Sequence, residues 1–160
     1  MNEVVQIRSS FFVCDCEKRK MYWMYIEFFG KKQEGKDVPK MCRRINQRFL
    51  KNAVIYIQRD EYESGKGYFA EGMNIKLFDD GMQICPGVKA VTIGGHSKGS
   101  CIVEITDNGR KSIIAGDECY LHECLDKRIP TGSSYCPDKS RKFIDTYGSG
   151  EYTVLLCHDK

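Results

Sequence analysis

Two residues that can bind metal ions, His96 and Asp117, lie on either side of a predicted β-hairpin. The hairpin turns at Asn108-Gly109, and Asn-Gly between two apolar runs is the strongest short-range signal for this structure. His96 precedes the first predicted strand and Asp117 follows the second, so strand pairing would bring both to one end of a sheet. Because zinc and similar divalent ions accept imidazole and carboxylate ligands, the spacing predicts a metal-binding site there.

The segments that carry these residues resemble a known family, as do two further segments. Residues 94–96 read Gly-Gly-His, residues 114–117 read Ile-Ala-Gly-Asp, and residues 155–159 read Leu-Leu-Cys-His-Asp. Their order resembles the second half of the metallo-β-lactamase superfamily, especially its N-acyl-homoserine-lactonase-like branch, with Thr-x-Gly-His-Thr-x-Gly-Ser, Ala-Gly-Asp and Pro-Gly-His-Asp. The resemblance extends upstream to residues 52–63, where relatives carry an edge strand and a Gln-Arg-x-Glu turn. It covers about residues 49–159.

The resemblance implies a set of site residues, carried over position by position. His96, Asp117 and His158 match metal ligands, with Asp117 in the bridging position, and Asp117 and Asp159 are the implied catalytic residues. In the complete family a His-x-His-x-Asp-His motif supplies most of the remaining ligands for two ions. Residues 1–95 contain no histidine, so this motif is missing. The resemblance therefore implies one zinc or other divalent ion, and it leaves open that no metal is bound.

Three functions remain compatible with this shortened set of ligands. The first is a degenerate member of the superfamily, related to metal-dependent hydrolases of lactones and esters but without the ordinary two-metal activity. The second is an active hydrolase with a single metal ion, held by His96, Asp117 and His158, in which Asp159 or Glu118 handles the proton. The third is a non-catalytic binding or oligomeric interaction module, in which the same three residues are ordinary turn residues. Enzymatic activity therefore stays undecided at this point.

Composition and length indicate one soluble domain. The chain has 160 residues, of which 41% are hydrophobic and 29% charged, and its formal net charge is +3. This is ordinary for a globular protein and too weakly basic to predict binding to nucleic acid. We interpret residues 1–160 as a single domain, with residues 1–48 as a shortened, divergent first half and residues 49–160 as the family-like second half. No apolar run of about 18 residues and no secretory signal is visible, which predicts a cytoplasmic protein without a membrane partner.

The chain is also expected to self-associate as a homodimer or larger assembly. Loss of first-half strands would leave sheet edges and apolar faces that invite pairing with another chain, and the aromatic run at residues 21–29 would be the surface covered. A lactone or ester is the implied small-molecule partner.

The nine cysteines do not form a recognisable disulfide framework, because their number is odd and their spacing irregular. We expect reduced thiols, as in a cytosol. Two local groups could bind metal instead, namely Cys14-x-Cys16 and the Cys119–Cys124 pair around His122. Ordinary packing is the favoured interpretation of both groups.

The predicted elements give an α+β fold, a reduced metallo-β-lactamase-like αβ/βα sandwich that is rich in strands and has two or three helices. The two outermost regions are an opening hairpin of residues 3–13 and 21–29 and a last strand at 152–156. Between them the sequence predicts a helix at 41–49, a strand at 53–58, and a hairpin of 73–78 and 82–84 around Asp79-Asp80-Gly81. A turn at Cys85-Pro86-Gly87 then leads into a strand at 88–93, and a helix at 138–147 is predicted to face inward with Phe143, Ile144 and Tyr147.

Overall fold

The computed structural model describes residues 2–7, 10–15 and 20–25 as strand backbone, and residues 54–64, 72, 74–132 and 134–156 with their side chains. The strands are β1 (Asn2–Ile7), β2 (Ser10–Asp15), β3 (Lys20–Tyr25), β4 (Val54–Gln58), β5 (Ile75–Phe78), β6 (Gly81–Cys85), β7 (Val88–Thr92), β8 (Cys101–Asp107), β9 (Arg110–Ile114) and β10 (Thr153–Leu155). The helices are α1 (Arg59–Ser64), α2 (His122–Asp126) and α3 (Pro137–Tyr147), with a 3-10 turn at Gly116–Glu118.

The first sheet has the strand order β3-β2-β1-β4-β5. Strands β1, β2 and β3 form an antiparallel meander, whereas β4 pairs in parallel with both β1 and β5. The predicted opening hairpin is therefore wrong in one respect, because residues 3–13 supply two paired strands and not one. The expected edge position of residues 54–58 is also wrong, since β4 lies between β1 and β5.

The second sheet has the order β10-β9-β8-β7-β6; strands β6 to β9 pair antiparallel with one another, and β10 pairs in parallel with β9. The predicted hairpin of β8 and β9 is present, with Asn108 at φ 48° and Gly109 at φ 78°. Two positive φ values in a two-residue turn fit the right-handed twist of the flanking strands, which explains why Asn-Gly occupies it. Gly87, at φ 82°, makes the corresponding tight turn between β6 and β7.

The predicted hairpin around Asp79-Asp80-Gly81 is wrong. Strand β5 pairs with β4 in the first sheet, and β6 pairs with β7 in the second, so the chain crosses between sheets at this point. Thr92 holds the crossing, because its hydroxyl donates to the Asp79 carbonyl at 2.6 Å and its amide donates to the Asp80 carbonyl at 3.1 Å. A turn sequence reports the local backbone and not the partners of the strands that it joins.

The two faces of the second sheet contribute to two hydrophobic clusters, as the alternation of side chains along a strand requires. The first contains Phe78 from the first sheet together with Ile84, Ala90, Cys101, Val103 and Ile114 from the second. The second contains Ile102, Ile113, Ala115 and Cys119 together with Phe143, Ile144 and Tyr147 of α3. The second sheet is therefore covered by the first sheet on one face and by α3 on the other.

Helix α3 matches the helix predicted at residues 138–147, and Phe143, Ile144 and Tyr147 are buried as expected. It starts at Pro137, where the missing amide costs nothing because the first helical amides have no intrahelical acceptor. The Tyr147 hydroxyl donates to Glu104 Oε1 at 2.6 Å, which ties the helix to β8. Among the described residues, no helix is long and apolar enough to cross a bilayer.

Candidate functional site

His96 and Asp117 lie together at one end of the second sheet. His96 belongs to the connection between β7 and β8, and Asp117 belongs to the 3-10 turn that follows β9. The distance from His96 Nε2 to Asp117 Oδ2 is 3.6 Å, with the His96 side chain buried and that of Asp117 slightly exposed. The Tyr120 ring meets the His96 imidazole edge to face, with 5.7 Å between centroids. The hairpin of β8 and β9 thus juxtaposes these two side chains as predicted.

The loop that carries His96 is fixed from the buried side by Glu118. One oxygen of this carboxylate, Oε1, accepts from the amides of Gly95 at 3.1 Å and His96 at 3.2 Å, and Oε2 is also 3.2 Å from the His96 amide. The Ser100 hydroxyl donates to Oε1 as well. Glu118 is fully buried, so this cluster of donors takes the place of water around its carboxylate.

Burial raises the pKa of Glu118, while the hydrogen bonds from Ser100, His96 and Gly95 act in the opposite direction. From the sequence, Glu118 is one of the groups suggested to handle the proton of a hydrolysis reaction. In the structure its carboxylate is surrounded by loop donors and has no exposed surface. Sequence patterns do not assign Glu118 this anchoring role, because glutamate is rarely buried and two of its donors are main-chain amides, which every residue except proline carries.

Gly95 is required by the close approach of Glu118 and the start of α3. A Cβ atom at this position would lie 2.4 Å from Glu118 Oε2, 2.5 Å from Ser140 Oγ and 3.0 Å from the Ser140 amide nitrogen. The Gly95 carbonyl accepts from the Cys136 amide at 2.8 Å, and the His96 carbonyl accepts from the Tyr135 amide at 3.1 Å. The start of α3 therefore fixes the same two residues that Glu118 holds.

The outer side of the loop is held by residues that follow β4. Glu61 Oε2 accepts from the Ser97 hydroxyl at 2.6 Å and from the Gly99 amide at 3.2 Å. Lys98 Nζ donates to Asp60 Oδ1 at 2.7 Å, with both side chains well exposed. Ser97 and Lys98 are thus hydrogen-bonding turn residues.

Gln58 closes this outer anchor. Its Oε1 accepts from the Glu61 amide at 3.1 Å, and a Cβ atom at Gly99 would approach that oxygen to 2.1 Å. Arg59 forms an ion pair with Asp79, at 2.7 Å between Nε and Oδ1. The segment Gln58-Arg59-Asp60-Glu61 therefore joins the His96 loop to the end of the first sheet and to the crossing between the sheets.

His158 and Asp159, the other two predicted site residues, lie outside the described residues. Strand β10 runs parallel to β9, with Leu155 opposite Ile114, and the Ala115 amide donates to the Leu155 carbonyl at 3.0 Å. Parallel strands end at the same edge of a sheet, so β10 ends at the edge where Asp117 follows β9. Among the residues that the structure describes, no group of three His, Cys, Asp or Glu side chains could hold a metal ion.

No protein-family model and no curated protein sequence matches the chain. Solved structures that superpose on it identify the fold. A quorum-quenching N-acyl homoserine lactone hydrolase superposes with a TM-score of 0.58 at 22% identity, over 68% of this chain and 49% of that one. A probable metal-dependent hydrolase from Staphylococcus aureus gives 0.59 at 24% identity, over 68% and 45%. The chain has the metallo-β-lactamase fold.

The predicted fold class is thereby confirmed as a reduced, strand-rich metallo-β-lactamase fold with three described helices. A hydrolase of the beta-lactamase superfamily also superposes, with a TM-score of 0.53 at 18% identity over 68% of this chain and 48% of its own. The chain spans about half the length of these solved proteins.

The cysteines of this metallo-β-lactamase fold that the structure describes, Cys85, Cys101, Cys119, Cys124 and Cys136, form no disulfides with one another. Cys119 is fully buried in the cluster beneath α3, and Cys124 packs against the same cluster. His122 begins α2 and is exposed. Burial raises the pKa of the Cys101 thiol to about 12, so this thiol next to the His96 loop stays protonated at neutral pH. The pair Cys14-x-Cys16 is outside the residues whose side chains are described.

Proposed function

We propose that this chain is a metallo-β-lactamase-fold protein that keeps one half of a metal site, formed by His96, Asp117 and His158, and lacks the ordinary two-metal hydrolase activity. The observation that supports it most directly is the 3.6 Å separation of His96 Nε2 and Asp117 Oδ2 at the end of the second sheet. Both residues occupy the positions at which the family resemblance places metal ligands.

The donor set fits a single divalent ion of the zinc type. Imidazole nitrogen and carboxylate oxygen are ligands that such an ion accepts, and the loop holds the buried imidazole of His96 beside the carboxylate of Asp117. His158 would supply the third donor, and the end of β10 at the same sheet edge as Asp117 supports this assignment. Asp159 would serve as the nearby proton acceptor. The chemistry that a bound ion supplies is activation of water and polarisation of a lactone or ester carbonyl.

The loss of the two-metal activity is proposed from the missing ligands. In the sequence, residues 1–95 contain no histidine, whereas the family motif carries three histidines and an aspartate in its first half. These groups hold ions and orient the attacking water, which are functions exerted in the transition state. Loss of one partner around a metal ligand typically costs about 10- to 100-fold in affinity or activity, and here a whole set of ligands is missing.

Elemental analysis of the purified protein tests the metal site. After loading with zinc or manganese and removal of excess metal, we expect about one ion per chain or less. The variants His96→Ala and Asp117→Asn should lose this ion, whereas His122→Ala, which removes the one histidine of the sequence that lies outside the proposed site, should retain it. Metal content that is equal in all four proteins would refute the half site.

Hydrolysis assays with a homoserine lactone and a chromogenic ester decide whether the half site is an enzyme. We expect turnover well below the order of 1 per second that is common among enzymes. Faster turnover that disappears in His96→Ala would instead establish the second candidate, a hydrolase with one metal ion. The resemblance to metal-dependent hydrolases is the observation that keeps this candidate open.

We also propose that the protein acts as a homodimer or larger assembly. Strands β6 and β10 each pair on one side only within the described part of the second sheet. Strands with an open side can pair with a second chain. Light scattering at micromolar concentration should give at least twice the mass of one chain, 18.4 kDa. A monomer at this concentration would contradict the proposal.

A further inference from the structure

Glu118 is the one carboxylate classed as buried within the described part of the chain. Moving a carboxylate out of water is costly unless hydrogen bonds and opposite charges replace its hydration. The groups that contact Glu118 are neutral donors, namely the amides of Gly95 and His96 and the hydroxyl of Ser100. The carboxyl group of Glu118 is therefore well hydrogen-bonded, and its partners within the described part of the chain include no lysine or arginine.

The position of Glu118 in the chain links two segments that carry candidate ligands. It directly follows Asp117, while its side chain bonds to the main-chain nitrogen of His96. His96 is thus connected to this segment twice. Its amide bonds to the Glu118 side chain, and its imidazole lies 3.6 Å from the carboxylate of Asp117, the residue directly before Glu118. A shift of either segment would have to break the bonds of this one carboxylate.

We propose that Glu118 is a positioning residue for the half site, which holds the main chain of His96 beside Asp117 and thereby strengthens the binding of a divalent cation. The proposal rests on the half site of the proposed function and assigns it a residue outside the set of ligands. Glu118 itself is not a ligand, because its oxygens are taken up by the loop donors.

A purely structural role for Glu118 makes a different prediction. If the carboxylate only stabilised the loop, its replacement would lower the free energy of unfolding, yet the folded molecules that remain would bind zinc as the wild type does. Glu118→Gln keeps the size of the side chain and one acceptor oxygen while removing the charge. Glu118→Ala removes the contacts as well. Glu104→Gln is the matched control, because it neutralises another glutamate of the same sheet that accepts a hydrogen bond.

Zinc affinity is to be measured by competition with a chelating dye, at a temperature where circular dichroism shows every variant to be folded. We expect Glu118→Gln to bind zinc about 10-fold more weakly than the wild type and Glu118→Ala up to about 100-fold more weakly, the range found for groups that orient metal ligands. Glu104→Gln should stay within about 3-fold of the wild type. Wild-type affinity in folded Glu118→Gln and Glu118→Ala would overturn the proposal.

Amide hydrogen exchange in the metal-free protein provides a readout that does not depend on zinc. The Gly95 and His96 amides should exchange slowly in the wild type and in Glu104→Gln, and much faster in Glu118→Ala. If that variant does not fold, Ser100→Ala removes one donor to the carboxylate and should weaken zinc binding about 10-fold; an affinity inside the range of the Glu104→Gln control would count against the proposal. If the wild type binds no zinc, the half site fails, whereas unchanged exchange in a folded Glu118 variant refutes the positioning role itself.

Discussion

The two sides of the His96 loop are held by similar bonds in different surroundings. On the buried side, Glu118 accepts from two amides and a hydroxyl without any exposed surface. On the outer side, Glu61 accepts from a hydroxyl and an amide while it is partly exposed, and Lys98 pairs with Asp60 in solvent. Both sides use carboxylates as acceptors for loop donors.

The difference in burial decides what each anchor contributes. A partner removed from a buried network leaves unpaired polar groups that water cannot reach, and this penalty exceeds the net value of the bond. A partner removed from an exposed pair is replaced by water, so little is lost. The number of hydrogen bonds therefore says less about the importance of an anchor than the exposure of the carboxylate does.

The largest effect is expected for Gly95→Ala on the buried side. The new methyl group would overlap with Glu118 Oε2 and Ser140 Oγ, neither of which has free space to move into. Overpacking of this kind costs about 1 to 3 kcal/mol of the free energy of unfolding, and we expect the upper end of that range in urea denaturation. Gly132→Ala is the control, because nothing lies within 4 Å of a Cβ at that position. Similar values for both variants would show that the buried side is not tightly packed.

An intermediate effect is expected on the outer side for Glu61→Ala. It removes the acceptor of the Ser97 hydroxyl and the Gly99 amide, each partly buried, and should lower the free energy of unfolding by about 1 to 2 kcal/mol. A double-mutant cycle with Ser97→Ala isolates the direct bond, for which we expect a coupling energy of about 1 kcal/mol. A coupling energy of zero would mean that Glu61 contributes to stability through the Gly99 amide and not through the Ser97 hydroxyl.

A very small effect is expected for Lys98→Ala. The Lys98 and Asp60 side chains are 62% and 37% exposed, so solvent and salt screen their attraction. The urea midpoint should stay at the wild-type value at both low and high salt. A clear loss of stability that disappears at high salt would mean that the outer side depends on this ion pair.

The smallest effect concerns Asp79, at the far end of the outer anchor. Its hydrogen bond with Arg59 lowers the pKa of the Asp79 carboxyl group below the ordinary value for an aspartate. Because the pKa is lower in the folded state, the pair stabilises the fold above the ordinary aspartate pKa and this contribution is lost as the pH falls. Carbon-detected NMR titration should show the Asp79 pKa returning to its ordinary value in Arg59→Gln. An unchanged pKa would assign the shift to another group.

Features of the fold with local causes could be predicted from the sequence, and features with distant causes could not. The Asn108-Gly109 hairpin, the turn at Gly87 and the apolar face of α3 depend on neighbours within a few residues, and the structure has all three. The hairpin at Asp79-Asp80 failed because β5 and β6 find their partners in different sheets. The interior position of β4 could not be predicted for the same reason, because its partners β1 and β5 are distant in the sequence.

The candidate site divides in the same way. His96 and Asp117 could be placed together because one hairpin with a recognisable turn separates them. The anchoring by Glu118 and Glu61 could not be derived, since it depends on which side chains the second sheet and the start of α1 bring to the loop. The Gly94-Gly95 pair before His96 is the only sign in the sequence that other residues pack closely against this loop, because a residue without a Cβ often marks a close approach.

The crossing between the sheets at Asp79-Asp80 also bears on the order of folding. Every described strand pair lies within one of the two sheets, with β1–β5 drawn from residues 2–78 and β6–β10 from residues 81–155. In the second sheet, strands β6 to β9 each pair with the next strand along the chain. In the first sheet, β1 must pair with β4 across about 50 residues, and closing such a long loop costs more conformational entropy. Local pairing is generally faster. The end of the sheet that carries His96 and Asp117 is thus expected to form early, before the first sheet closes over its inner face.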